Sequence, residues 1–225
     1  MKKNLLALAF LVGLLTCCKS EDAPIKPVKP TDPGSINKEY MSRAETTFAN
    51  IFKYYWSDKV RMMFGSYPNT LGTPQEPSSP DYDSHAYLWG LGSVVSAFNA
   101  IVQNTDNVDF RMTYESRLKE TLLKYYNTTK EPMCFGCFVN PHDQRLYDDA
   151  IWVGIDLADL YSKTKDSWYL DYAKSVWNFV LSGKDDELGG GVYWDENAKD
   201  SKNTCSNAPA VVLALKLYQI TNDAA

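Results

Sequence analysis

Tyr147-Asp148-Asp149-Ala150-Ile151-Trp152-Val153-Gly154-Ile155-Asp156-Leu157 opens on two adjacent carboxylates and continues as an almost unbroken apolar run. A surface helix shows one apolar stripe, whereas a segment apolar on nearly every side belongs in a core or a membrane. This run is broken by Gly154 and Asp156 and is too short for a bilayer span of roughly 20 residues, so the expectation is an inner helix of a core.

Two further segments share that character, 86–102 and 208–220. Amphipathic segments alternate with them. Residues 38–56 place Met41, Phe48, Ile51, Phe52 and Tyr55 on one face; 109–126 do so with Phe110, Tyr114, Leu118, Leu122 and Tyr125. Residues 167–181 repeat the pattern with Trp168, Tyr172, Val176 and Phe179. The order is outer, inner, three times over, at a spacing of roughly 60 residues, as in a helical-hairpin repeat. The expected fold is all-α, an α/α toroid or an α-solenoid of three hairpins. Each inner helix opens on a polar cluster: Tyr82-Asp83-Ser84-His85, Tyr147-Asp148-Asp149 and Thr204-Cys205-Ser206-Asn207. These starts are expected to converge on one rim, where a site would form. The chain stops just after its third inner segment, at Thr221-Asn222-Asp223-Ala224-Ala225. Terminal repeats need a polar outer surface, so the expectation is a truncated protein or a half ring completed by another chain.

The 225 residues, 44% of them apolar, are enough for one domain with a sizeable core. The net charge of -5 without a basic stripe argues against nucleic acid as a partner. Tyr (15) and Trp (6) are abundant, which suits a carbohydrate cleft and an aromatic helical core equally.

Three segments are expected: a lipoprotein signal peptide at 1–18, a Pro-rich tether at 19–36 and the helical domain at 37–225. Lys2 and Lys3 precede an apolar run from Leu5 to Leu15, which reads as an export signal. It ends at Leu14-Leu15-Thr16-Cys17-Cys18, which resembles a bacterial lipoprotein processing site with Cys17 or Cys18 as the lipidated residue. Lys19-Ser20-Glu21-Asp22 resembles the export tag of surface lipoproteins in Bacteroidetes-type bacteria, so the expected location is the outer membrane or cell surface, held by a lipid anchor. Pro24, Pro27, Pro30 and Pro33 mark a semi-extended tether. Cys134-Phe135-Gly136-Cys137 lacks the second pair of a zinc site and the βαβ context of a redox motif, so no metal is expected there. A local disulfide or two free thiols are its expected fates.

Like charges as close as Asp148 and Asp149 resist ionising together, so one carboxyl should hold its proton to higher pH. An acid beside an ionised carboxylate is what glycosidic bond cleavage uses. Consecutive Cα atoms lie about 3.8 Å apart, and short side chains there hold carboxyls roughly 5 Å apart, the retaining separation. The helix start favours one ionised carboxylate, while Trp152 and Tyr147 favour a protonated one and are also candidates to contact a sugar. The bland alternative is N-capping by ordinary first-turn acids.

Gly189-Gly190-Gly191-Val192-Tyr193-Trp194-Asp195 lacks nucleotide-loop spacing. Its glycines permit a tight turn, and Tyr193 and Trp194 are candidates to stack on a sugar or simply to cover a core. Asn203 and Asn207, in Lys202-Asn203-Thr204-Cys205-Ser206-Asn207, suit sugar hydroxyls or helix capping, with Pro209 near the first turn. Asp83 and His85 complete the candidate rim, His85 also reading as a structural histidine.

The runs Tyr147-Asp148-Asp149-Ala150-Ile151-Trp152, Asp185-Asp186-Glu187-Leu188-Gly189-Gly190-Gly191-Val192-Tyr193-Trp194 and Lys202-Asn203-Thr204-Cys205-Ser206-Asn207-Ala208-Pro209-Ala210 together resemble glycoside hydrolase family 76, the endo-α-1,6-mannanases. Their order and spacing match the family's over 40–220. The resemblance implies an (α/α)6 barrel, of which this chain supplies the first half, and retaining hydrolysis of α-1,6-mannan. It implies Asp148 as nucleophile, Asp149 as acid/base, and no metal or organic cofactor. The competing expectation is an inactive or truncated glycan-binding surface lipoprotein that keeps the cleft without turnover.

Overall fold

The computed structural model describes residues 33–68, 85–139 and 144–223, the first four as backbone only. Cys17, Cys18, Asp83, the signal segment and nearly all of the tether lie outside the described residues. Residues from Lys38 onward form one compact unit.

The fold is all-α. The helices are α1 (Pro33–Tyr55), α2 (Leu88–Asn104), α3 (Val108–Tyr125), α4 (Tyr147–Thr164), α5 (Ser167–Ser182) and α6 (Thr204–Thr221). No described helix is long and apolar enough to cross a membrane. α1 begins at Pro33, inside the stretch read as tether, because Pro fits the first helical position, where no N–H is needed.

The alternation read from sequence is the architecture. α1, α3 and α5 are outer helices; α2, α4 and α6 are inner ones. Each outer helix leads into a small pairing before the next inner helix starts. β1 (Trp56–Ser57) pairs with β2 (Met62–Met63), β3 (Tyr126–Asn127) with β4 (Cys134–Phe135), and Lys184 bridges Val192. The long connections therefore gather where the inner helices begin, which puts irregular backbone at one end of the bundle.

Aromatic packing seats the first outer layer. Phe48 on α1 meets Phe98 on α2 at 6.0 Å and Phe110 on α3 at 5.3 Å, and Phe52 meets Tyr114 at 4.6 Å. α4 is the keel: Ala150, Ile151, Val153, Leu157, Ala158 and Leu160 are all buried. It is flanked by α2 and α6 and backed by α5. Gly154 allows that closeness, since a Cβ there would sit 2.9 Å from Val176 on α5 and 3.1 Å from Leu213 on α6.

α6 is an inner helix that is not covered all round. Val211, Leu215 and Tyr218 are exposed while Leu213 and Leu217 are buried. The cause is position: α6 packs principally on α4 and α5, whereas α4 has neighbours on three sides.

A polar ladder crosses the inner layer. Ser96 and Asn99 on α2 donate to Asp156 on α4, Asn99 at 2.8 Å, and Lys216 on α6 pairs with Asp159 on α4. Gln103 donates to Asn99 Oδ1 and to the Asp159 carbonyl, both at 3.0 Å. Buried Asp156 is thus satisfied, although burial still holds its carboxyl above the usual range against the bonds from Ser96 and Asn99.

Gly154→Ala tests the packing at the keel. Helix propensity favours Ala by about 1 kcal/mol, but overpacking costs about 1–3 kcal/mol. Urea unfolding should show a net loss of about 1 kcal/mol; a gain would mean the helices relax apart freely.

Candidate active site

The site is built outward from Arg145, which is fully buried just before α4. Its Nε donates to Glu196 Oε2 at 2.8 Å and its Nη2 to Glu196 Oε1. Its Nη1 donates to the carbonyls of Lys130 (3.1 Å) and Pro132 (2.7 Å). The guanidinium also lies 4.7 Å from the Phe179 ring centroid. Burial alone would push the Glu196 carboxyl up, but Arg145 and Lys130 hold it below the usual range. Two connections, the one after α3 and the one after α5, are so tied together at the entry to α4.

Backbone pairing continues that grip. Leu146 bridges Asp195, the Glu196 N–H donates to the Arg145 carbonyl at 3.3 Å, and the Tyr147 N–H donates to the Trp194 carbonyl at 3.0 Å. Tyr147, expected at a sugar, is instead buried under the helix start. Its ring stacks on Phe179 at 4.3 Å and abuts Gly183, where a Cβ would lie 2.3 Å from it. Tyr147 fixes the first turn of α4 and so aims the two carboxylates that follow.

Neither aspartate is the N-cap. Leu146 holds that position without a capping side chain, so Asp148 and Asp149 sit inside the first turn, where the helix dipole favours negative charge. Asp148 Oδ2 accepts from Trp194 Nε1 at 3.2 Å, and the Cys205 thiol is a second neighbour. Asp148 Oδ1 is buried with no hydrogen-bond partner among the described residues. Asp149 carries the perturbed carboxyl. Burial first, and the Asp148 charge second, raise it from 3.8 to about 6, while a bond from the Cys137 thiol opposes the rise. The expectation that one of the pair holds its proton to higher pH is met by Asp149.

Asp149 opens on a cavity of about 170 Å³ lined by Leu88, Trp89, Gly92, Ser93, Ser96 and Trp152. Trp89 is 57% exposed and Trp152 43%, so two indole faces stand free beside a half-buried acid. A larger hollow of about 240 Å³, by Thr105, Arg111 and Lys163 at the far end of α2, is remote from the carboxylates.

The Gly-rich run is a loop held in place by its neighbours. Gly189, Gly190 and Gly191 all have positive φ, near 87°, 90° and 88°, which L side chains rarely adopt. Asn207, expected at a ligand, clamps this loop: its Oδ1 accepts from Val192 N at 2.8 Å and its Nδ2 donates to Val192 O at 2.9 Å. Lys202 donates to Asp185 Oδ1 at 2.6 Å and to the carbonyls of Asp185 and Glu187 at 2.9 and 2.6 Å. Tyr193 is buried, with Lys202 Nζ 4.5 Å from its ring centroid. Asn203 acts through its backbone as the N-cap of α6, which begins earlier than its apolar run and leaves Pro209 in the second turn. His85 is buried in a bridge to Phe64, its imidazole pKa lowered by burial and by Lys124.

Of the sequence candidates, the structure brings together Asp148, Asp149, Trp152 and Trp194. Tyr147, Tyr193, Asn203, Asn207 and His85 shape the surroundings from buried or backbone positions. Sequence reasoning missed Trp89, Cys137 and Cys205. Trp89 had a signal, since it begins an inner helix as Trp152 does; Cys137 and Cys205 become neighbours of the carboxylates only through folding.

Two substitutions probe this arrangement. Arg145→Met should destabilise by about 3 kcal/mol, because it strands Glu196 with Lys130 alone in a buried setting. Asp149→Asn should stabilise. A carboxyl with its proton affinity raised on folding favours the fold fully below about 3.8 and loses that contribution as pH rises to about 6. At pH 8 the amide should therefore gain about 1 kcal/mol, discounted for partial solvent access, and the gain should fade toward pH 4. Melting curves across that range check it; a gain independent of pH would sink the assignment.

The fold has known relatives. The family model for glycosyl hydrolase family 76 matches residues 39–225. A family 76 glycoside hydrolase from a bovine Bacteroides thetaiotaomicron strain is 30% identical, with a TM-score of 0.68 over 82% of this chain and 38% of that one. A family 76 mannosidase from Bacteroides thetaiotaomicron VPI-5482 is 25% identical, with a TM-score of 0.69 over 82% and 49%. An inactive variant of the α-1,6-mannanase of Salegentibacter sp. HEL1_6, with two consecutive aspartates replaced and α-1,6-mannotetrose bound, shares the fold at 22% identity, with a TM-score of 0.58 over 82% and 46%. A search of curated protein sequences finds no match. The chain spans 38% to 49% of the length of these solved structures. Its match along 39–225, its all-α fold and its likeness to these structures place the chain in glycosyl hydrolase family 76.

Proposed function

We propose that this chain carries the catalytic half of a retaining hydrolase of α-1,6-mannan, with Asp148 as nucleophile and Asp149 as acid/base. The observation that carries the reading is the unequal pair: a half-buried carboxyl raised to about 6 beside a second carboxylate, at a cavity walled by Trp89 and Trp152. Family membership narrows the reaction to glycoside hydrolysis. The Salegentibacter relative, inactive when two consecutive aspartates are replaced, supports placing the chemistry on such a pair.

In the first step Asp148 attacks the anomeric carbon while Asp149 gives its proton to the departing glycosidic oxygen. Asp149 then takes a proton from water, which releases the sugar from Asp148. The geometry suits these roles. The Trp194 indole steadies one Asp148 oxygen, and Oδ1 has no donor competing for its lone pairs among the described residues. A buried carboxylate oxygen without a partner is costly, and a reacting sugar is a partner that would relieve it. The indole faces of Trp89 and Trp152 offer apolar surface to a sugar ring. Lipidation at Cys17 or Cys18 would hold the domain at the outer surface of an exporting bacterium, next to polysaccharide. The span of under half the relatives' length favours one other reading, a cleft that binds mannan without turnover.

Purified protein incubated with debranched α-1,6-mannan should release mannooligosaccharides. Asp149→Asn should cut the rate by about 10²–10⁴-fold, the usual worth of a general acid. The reaction needs Asp149 protonated, so kcat/KM should fall as pH rises past about 6. Normal release by Asp149→Asn would remove its role; binding without product would select the non-catalytic reading.

A further inference from the structure

The cavity beside Asp149 belongs to one side of the cleft. Trp89, Ser93 and Ser96 recur at i, i+4 and i+7 along α2, so they share one face of that helix, with Gly92 among them. Asp149 and Trp152, three residues apart on α4, form the facing wall. The hydroxyl protons of this lining are already spent: Ser93 donates to the Trp89 carbonyl at 3.3 Å, and Ser96 donates to Asp156. Asp149 is the one charged side chain among the lining residues. The cavity therefore offers two indoles and one carboxyl, the pairing that suits a sugar ring with one hydroxyl turned to the acid.

Asp148 does not line this cavity. Its Oδ2 accepts from Trp194 Nε1 at 3.2 Å. Trp194 is fixed in turn by the Tyr147 N–H on its carbonyl at 3.0 Å and by its own N–H on the Ser201 carbonyl at 3.2 Å. The two carboxyls thus mark two sides of the cleft. Cleavage of an α-1,6 linkage breaks the bond between C1 of one mannose and O6 of the next. In the roles given above, an Asp148 oxygen bonds to C1 while the Asp149 proton passes to O6, which leaves as a hydroxyl. The sugar that supplies C1 stays with Asp148, and the sugar that supplies O6 departs from the side of Asp149.

We infer that the cavity between α2 and α4 is the seat of the departing sugar, which packs against Trp89 and Trp152 and turns its O6 to Asp149. The inference rests on the roles proposed for the two aspartates, and its test is chosen so that the two can fail separately. The probe is methyl α-mannoside, whose free O6 and blocked C1 imitate the departing sugar. Its binding to the whole chain is followed by NMR through the indole N–H signals, assigned by single Trp→Phe replacements. The signals of Trp89 and Trp152 should move and that of Trp194 should not. The 6-deoxy analogue should bind about tenfold more weakly, the worth of one hydrogen bond to a carboxyl, and Asp149→Ala should erase that difference. Trp89→Ala removes an indole that is 57% exposed, so the fold should survive while binding falls, which gives a second reading if Asp149→Ala does not melt cooperatively.

Movement confined to Trp194, equal binding of the two mannosides, or no binding at all overturns the inference, and so does a preference for O6 that persists in Asp149→Ala. None of these readings needs turnover. Binding through O6 by a chain that leaves mannan uncut would keep the seat and overturn the hydrolase reading. Cleavage of mannan without such binding would do the reverse.

Discussion

The buried guanidinium of Arg145 is the constraint from which the rest of the site follows. A cation with no solvent contact must find partners for its donors, and here it finds them on Glu196, Lys130 and Pro132, with Phe179 beneath. Those partners belong to different inter-helix connections. One side chain therefore fixes the loop after α3, the loop after α5 and the entry to α4 at once. The bridge from Leu146 to Asp195 and the bond from Tyr147 to Trp194 follow from that placement, and so does the indole that reaches Asp148. Because the ion pair is bidentate, it sets direction as well as distance.

The two aspartates are neighbours in sequence, yet their surroundings differ. Side chains one residue apart on a helix diverge by about 100°, so they meet different walls. Asp148 turns toward Trp194 and Cys205, on the segments around α6, while Asp149 turns toward Cys137 and the cavity by α2. That divergence puts two adjacent carboxyls of one short sequence in unlike settings. Two carboxyls in equal settings would share a proton without assigning it. The N-terminal turn of α4 adds a field that favours charge on either, and burial decides which of them resists it.

The helical alternation was legible because it rests on periodicity. The segments 86–102, 109–126 and 167–181 fall within about two residues of α2, α3 and α5, since apolar spacing is a local property. The aspartate pair was legible too, being adjacent in sequence. What could not be read was where long side chains from loops end up. Asn207 looked like a sugar ligand because its amide is suited to one, but three consecutive glycines at positive φ need an external brace, and Asn207 is the amide within reach. Tyr193 looked like a stacking face and Tyr147 like a sugar contact; burial made them supports. Arg145 gave no sequence signal at all, since its worth depends on Glu196, far along the chain. The exposed face of α6 follows a related rule. Apolar composition states that a helix wants cover, while cover comes from neighbours that the helix itself does not encode.

Rigidity in the inner layer is the last requirement of the site. Apolar faces alone let helices slide, because one methyl contact replaces another at little cost. The ladder from Ser96 and Asn99 through Asp156, and from Asp159 to Lys216, removes that freedom. Asp156 is buried, so a shift that broke its bonds would leave a desolvated carboxyl unpaired, at a cost of about 1–3 kcal/mol or more. Asp156 lies two helical turns below Asp148 and Asp149 on the same helix. Holding it against α2 therefore holds the carboxylates against Trp89, Cys137 and the cavity wall. The cavity beside Asp149 keeps its width, because the polar ladder further down does not let α4 move relative to α2.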